Sequence, residues 1–212
     1  MTAAPWRAHE ARRCGRQAFV LPALAALAAF VTVATGSGIG VVLGRALLSC
    51  ALPTATALAC AAVVAREPML ELHLSLPIPY PRTVARRLAW PASVTAAATL
   101  VLVGLVATTG HRPDPLTTLL ELSGLTVFLS GAAVWATVRT GSAAPASGLV
   151  IAAVLAKLLL VDRVLPEGAA QGVPALVIGG YLFSLALRAL RPGARAGARL
   201  GYGDAHLGPR EA

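Results

Sequence analysis

LTTLLELSGLTVFLSGAAVWATV, residues 116–138, carries a single charged side chain, Glu121. At 1.5 Å per residue, a run of about 20 helical residues crosses a hydrocarbon core of about 30 Å. The run lacks the alternation of a barrel strand, and an apolar segment in lipid must satisfy its backbone internally, so it predicts a membrane helix. Five more runs of the same kind lie outward from it, at 19–35, 46–65, 90–109, 143–161 and 172–187, the last being the shortest. The whole chain agrees: it is 57% hydrophobic and 13% charged, with a mean hydropathy of +0.73, against roughly 25% charged residues in soluble domains. The expected fold is all-α, a polytopic membrane protein of six transmembrane helices with an amino-terminal interfacial helix.

Basic residues near helix ends are retained on the cytoplasmic side, which sets the orientation. With the amino terminus inside, Arg7, Arg12, Arg13, Arg16, Arg66, Arg82, Arg86, Arg87, Arg139, Arg188, Arg191, Arg195, Arg199 and Arg210 are cytoplasmic, 14 of the 18 basic residues. The other four, Arg45, Arg112, Lys157 and Arg163, fall at the outer side, where Asp114, Glu121, Asp162 and Glu167 balance them. The net charge of +9 is therefore an inner-surface charge. It fits attraction to anionic lipids rather than nucleic acid, for which no motif is present.

The domain organisation follows from these runs. Residues 1–18 mix Trp6 with four arginines after Pro5 and read as a cytoplasmic interfacial helix. Residues 19–189 form the six-helix domain, with no cleaved signal peptide expected because five spans follow the first. Residues 190–212, rich in Gly, Ala and Arg, read as a disordered basic cytoplasmic tail. Gly36, Gly40 and Gly44 recur every four residues and fit either a close-packing helical face or a flexible outer loop. Pro22, Pro53 and Pro174 lie within or at the start of spans. The Ala-, Arg- and Gly-rich composition with one lysine points to a bacterium of high G+C content and hence to its plasma membrane.

Catalytic chemistry is not expected. His9, His73, His111 and His206 all fall outside the spans, so none pairs with an intramembrane serine or binds a metal in the bundle. Cys14, Cys50 and Cys60 have no metal-ligand spacing and read as small apolar fillers. The only lysine, Lys157, follows Ala156 in an apolar run, so the chain has no phosphate-cradling P-loop. No cofactor is called for. Within the spans, Glu121 and Lys157 each sit roughly 7 Å below the outer surface. They are expected either to snorkel to the headgroups or to form an ion pair between the fourth and fifth helices.

The longest polar interruption is REPMLELHLSLPIPYPRTVARRLA, residues 66–89. Pro68 is placed to start a short helix over 69–75, and the alternating Pro77, Pro79 and Pro81 favour a stiff polyproline geometry. Arg82 and Arg86 share one face at the start of the third helix. Glu67 and Glu71, then Leu74-Ser75-Leu76-Pro77, then Arg82, Arg86 and Arg87, form an arrangement that resembles the coupling loop after the second span in type-2 ATP-binding-cassette exporter permeases. The resemblance in layout covers most of the chain; in residues it covers this loop. It implies that Glu67, Glu71, His73, Leu76, Pro77, Tyr80, Arg82, Arg86 and Arg87 meet a separate ATPase subunit. It also implies that the chain pairs with itself or a sibling permease and that ATP is hydrolysed only by the partner. The alternative is a non-transporting membrane scaffold whose basic inner face recruits a cytoplasmic protein; a carrier coupled to ions through Glu121 and Lys157 is a third.

Overall fold

The computed structural model describes residues 17–35, 39–65, 80–108, 114–164 and 168–190, with side chains placed over 20–31, 49–65, 83–104, 114–164 and 168–190. Among these residues the chain is all-helical, with no strand. The helices are α1 (Gln17–Thr35), α2 (Ile39–Ala65), α3 (Tyr80–Thr108), α4 (Pro115–Thr140), α5 (Ala143–Val164) and α6 (Ala169–Ala189). Four segments are long and apolar enough to cross a membrane, Thr83–Gly104, Pro115–Thr140, Ala143–Val164 and Ala169–Ala189, the pattern of a multi-pass membrane protein. Val20–Val31 and Ser49–Ala65 are shorter apolar stretches within α1 and α2.

Local chemistry explains the α4–α5 hairpin. Asp114 caps α4 by accepting from the Leu116 N–H at 3.2 Å, and Pro115 occupies the first turn, where its missing N–H costs nothing. Gly141, at φ 71°, ends α4 in the left-handed conformation and donates its N–H to the Thr137 carbonyl at 2.8 Å. Ser142 then caps α5, accepting from the Ala144 N–H at 3.3 Å. Two residues thus reverse the chain and lay α5 antiparallel to α4.

α4 is the central helix, packed along α6 and α2 and also touching α5 and α3. Leu122, Leu125, Leu129, Ala132, Ala133, Val134 and Ala136 are all buried, as expected of a helix apolar around its full circumference. α1 lies at the edge against α2 and α3. Leu24 and Leu27 on α1, Leu100 and Val101 on α3, Leu155 and Leu159 on α5, and Val177 and Tyr181 on α6 all point outward. A surface that apolar has lipid, not water, as its solvent. Pro22, Pro53 and Pro91, inside α1, α2 and α3, are turned inward and fully buried.

The two ends of the bundle differ in charge. At one end Val63 of α2, Val84 and Leu88 of α3, Val134 of α4, Ala186 of α6 and Leu190, which follows α6, form one buried cluster. That end therefore collects Arg86 and Arg87, Arg139 in the last turn of α4 and Arg188 in the last turn of α6. The Arg139 guanidinium lies 5.6 Å from the Trp135 ring centroid, a cation–π contact one turn apart. The other end carries Asp114, Glu121, Lys157, Asp162 and Arg163.

Three expected boundaries shift. α3 begins at Tyr80, ten residues ahead of the apolar run at 90, so Arg82, Arg86 and Arg87 lie in its opening turns and the span is longer than its apolar run. The arginines there end the apolar run without ending the helix. Gly40 and Gly44 lie inside α2, which removes the outer-loop reading for those two; Gly36 is outside the described residues. α6 extends beyond 172–187 at both ends. The interfacial helix at 1–18 lies outside the described residues apart from its last two positions, which belong to α1, and the tail lies outside them beyond Leu190.

Candidate functional site

Lys157 stands one-third of the way along α5 from its carboxyl-terminal end, within a candidate span where an isolated charge in lipid costs several kcal/mol. Its ammonium is met from two sides, by Glu121 Oε1 of α4 at 3.2 Å and by Asp162 Oδ1 of its own helix at 2.8 Å. The three side chains are 8%, 15% and 21% exposed, so the cluster is largely withdrawn from its surroundings. Glu121 and Lys157 therefore meet rather than reach separately for the headgroups. Asp162 joins them because α5 contains a π-helical turn at Lys157–Val161. In an unbroken α-helix, residues five apart point about 140° away from each other.

Beside the cluster runs a seam of glycines. Gly124 of α4 lies on the backbone of Gly172 of α6, and Gly131 lies on that of Gly179. Seven residues separate the two glycines on each helix, so α4 and α6 run parallel with one register. A seven-residue repeat of small residues is the spacing that keeps two helices in contact at a shallow crossing angle of about 20°. The missing Cβ atoms let the backbones touch: one built on Gly172 would lie 2.7 Å from the Leu120 carbonyl oxygen and 3.0 Å from the Glu121 nitrogen. The seam thus ends against the residue that carries the ion pair. Gln171, one position earlier, is buried as well.

A smaller polar feature joins α2 to α3. The Thr56 and Thr95 hydroxyls are 2.8 Å apart and buried, and each is also 2.8 Å from the carbonyl one turn back, of Leu52 and Pro91. Thr99 donates in turn to the Thr95 carbonyl at 2.8 Å. Cys50 and Cys60 are free and buried in α2, Cys50 beside Ser49 and Cys60 in the cluster at the arginine-bearing end.

Of the residues expected to meet a partner, Glu67, Glu71, His73, Leu76 and Pro77 lie outside the described residues. Tyr80 and Arg82 are in the first turn of α3, with side chains that are not placed. Arg86 is exposed and Arg87 half-buried, flanking the buried Val84 and Leu88. Glu121 and Lys157 are brought together. Sequence reasoning missed Asp162 as their third member and missed the glycine seam. The seam had a readable signal, two glycines at seven-residue spacing in each of two apolar runs; Asp162 had none, since a spacing of five does not read as one helical face.

Chemically the cluster stores charge and fastens α4 to α5; it contains no nucleophile paired with a base. Among the described residues no group of His, Cys, Asp or Glu side chains is arranged to hold a metal ion. Comparison with family models, with curated proteins and with solved structures finds no match for this chain.

Proposed function

We propose that this chain is the membrane-spanning permease subunit of an ATP-driven exporter, dimerising with itself or a sibling chain and driven by a separate ATPase that acts on residues 66–89. All six helices cross the bilayer in this reading. α1, of 19 residues, spans about 28 Å and α2, of 27 residues, more. Both termini are cytoplasmic in this reading, which the gathering of Arg86, Arg87, Arg139 and Arg188 at one end of the bundle supports, with the termini of α2 and α3 that flank 66–79; the bacterial plasma membrane follows from the Ala-, Arg- and Gly-rich composition alone. The same end attracts anionic lipid headgroups.

The observation that carries the reading is the buried cluster at that end. Val63 just before the segment, and Val84 and Leu88 just after it, pack together with Val134 of α4 and Ala186 of α6. A displacement of 66–79 is therefore passed to α4 and α6 through side chains in contact, since close-packed interiors transmit strain rather than absorb it. An anchor for a cytoplasmic protein has no need of that linkage, nor of a charged cluster at the opposite end.

The test is crosslinking from Ser75→Cys in native membranes, with identification of the captured protein. Capture of an ATPase bearing a P-loop is the expected result. Free labelling of the cysteine from the cytoplasmic side with no ATPase captured overturns the reading and leaves the membrane scaffold in its place.

A further inference from the structure

α5 departs from α-helical geometry over Lys157–Val161. The Asp162 N–H donates to the Lys157 carbonyl, a bond that spans five residues and accommodates one more than an α turn holds. The side chains repeat the spacing, with Lys157 Nζ donating to Asp162 Oδ1 at 2.8 Å. Five residues of α-helix turn through about 500° and would leave these side chains about 140° apart, too far round the helix to bond. The ion pair and the π turn thus depend on each other. Glu121, at 3.2 Å on α4, gives Lys157 a second partner that does not require the turn.

The surroundings permit the turn to change. Leu159 and Leu160 within it and Val164 beyond it are exposed on the apolar outer surface. Leu158 alone of the three leucines packs on the core formed by α2, α4 and α5. Rotating this end of the helix exchanges one outward-facing leucine for another, so little packing is lost. The charged partner decides the register.

We propose that α5 carries a two-position register switch in which Lys157, bound to both Asp162 and Glu121, holds the turn in its π form. When Lys157 keeps Glu121 alone, the turn closes to α-helix. One residue of register corresponds to about 100°, so the outer end of α5 beyond Lys157 rotates by that angle and carries Asp162 off the α4–α5 contact. The switch concerns this helix alone and does not rest on the exporter reading; it holds or fails whether or not an ATPase acts on the inner end.

The experiment is a pulsed electron-resonance distance measurement on the full chain in lipid nanodiscs. Nitroxides are placed at Arg163→Cys and Leu100→Cys, both exposed, after Cys14→Ala, Cys50→Ala and Cys60→Ala. A label riding about 5 Å from the helix axis moves by about 8 Å in a 100° rotation. The parent is expected to show one distance and Asp162→Asn to add a second, displaced by up to about 8 Å. Deletion of Leu159, which removes the residue the π turn accommodates and so closes the turn without rotating the segment beyond it, is expected to keep the parent distance alone, also when combined with Asp162→Asn. An Asp162→Asn distribution identical to the parent's overturns the proposal, and so does a displaced population that persists when Leu159 is deleted from the Asp162→Asn chain. Should the deletion not fold, the Asp162→Asn result alone decides.

Discussion

Gly179 and Gly180 are neighbours on α6 at the same depth, yet they face opposite environments. A Cβ built on Gly179 would lie 2.5 Å from the Phe128 Cα and from the Val127 carbonyl carbon, and closer still to the Phe128 nitrogen; one built on Gly180 meets nothing within 4 Å. Carbon atoms rest at about 3.5–4.0 Å, so Gly179→Ala forces α6 back from α4 by about 1 Å. A gap of that size forfeits up to about half of the dispersion energy across the seam. With about thirty atom pairs in contact at about 0.15 kcal/mol each, the loss is about 2 kcal/mol. The gain in helix propensity from glycine to alanine, about 0.5–1 kcal/mol, is common to both substitutions and cancels in their comparison. Gly179→Ala is therefore expected to be about 2 kcal/mol less stable than Gly180→Ala, within the usual range for overpacking. The assay is equilibrium unfolding in mixed detergent–lipid micelles, followed by tryptophan fluorescence. Equal stabilities for the two variants would refute the parallel seam between α4 and α6.

Removing the cation from the ion cluster leaves Glu121 and Asp162, 15% and 21% exposed, without a counter-charge. Lys157→Met is accordingly expected to cost about 3 kcal/mol in the same unfolding assay, while adding Glu121→Gln and Asp162→Asn to it recovers most of the loss; a triple variant no more stable than the single one would count against the cluster. For the Thr56–Thr95 hydrogen bond at 2.8 Å, a double-mutant cycle with Thr56→Val and Thr95→Val is expected to give a coupling of about 0.6 kcal/mol, the usual worth of an interhelical hydroxyl bond in membranes. A coupling indistinguishable from zero would mean that each hydroxyl spends its proton on the carbonyl one turn back.

The helices were legible in the sequence to different degrees at their two kinds of boundary. Where a turn carries its own chemistry, as at Asp114-Pro115 and Gly141-Ser142, caps and the left-handed glycine end the helix locally, and the apolar runs at 116–138 and 143–161 fall within a few residues of α4 and α5. Where the apolar run simply gives way to charge, as ahead of Trp90, hydropathy marks the edge of the oily segment and not the end of the helix. Arginine is a good helix former, so α3 continues back through Arg87, Arg86 and Arg82 to Tyr80.

By itself the sequence determined that the described chain is helical and apolar enough to cross a membrane several times, and that most of its arginines would collect at one end. Those properties follow from composition, run length and local capping. Only the tertiary structure decided which helices touch: α4 at the centre, α6 parallel to it through four glycines, and Lys157 between Glu121 and an Asp162 that a π turn brings round. In a soluble helix a polar face would have announced the orientation. Here lipid and protein neighbours are both apolar, the periodic signal vanishes, and the facing residues are chosen by close packing and by the few charges that must find a partner.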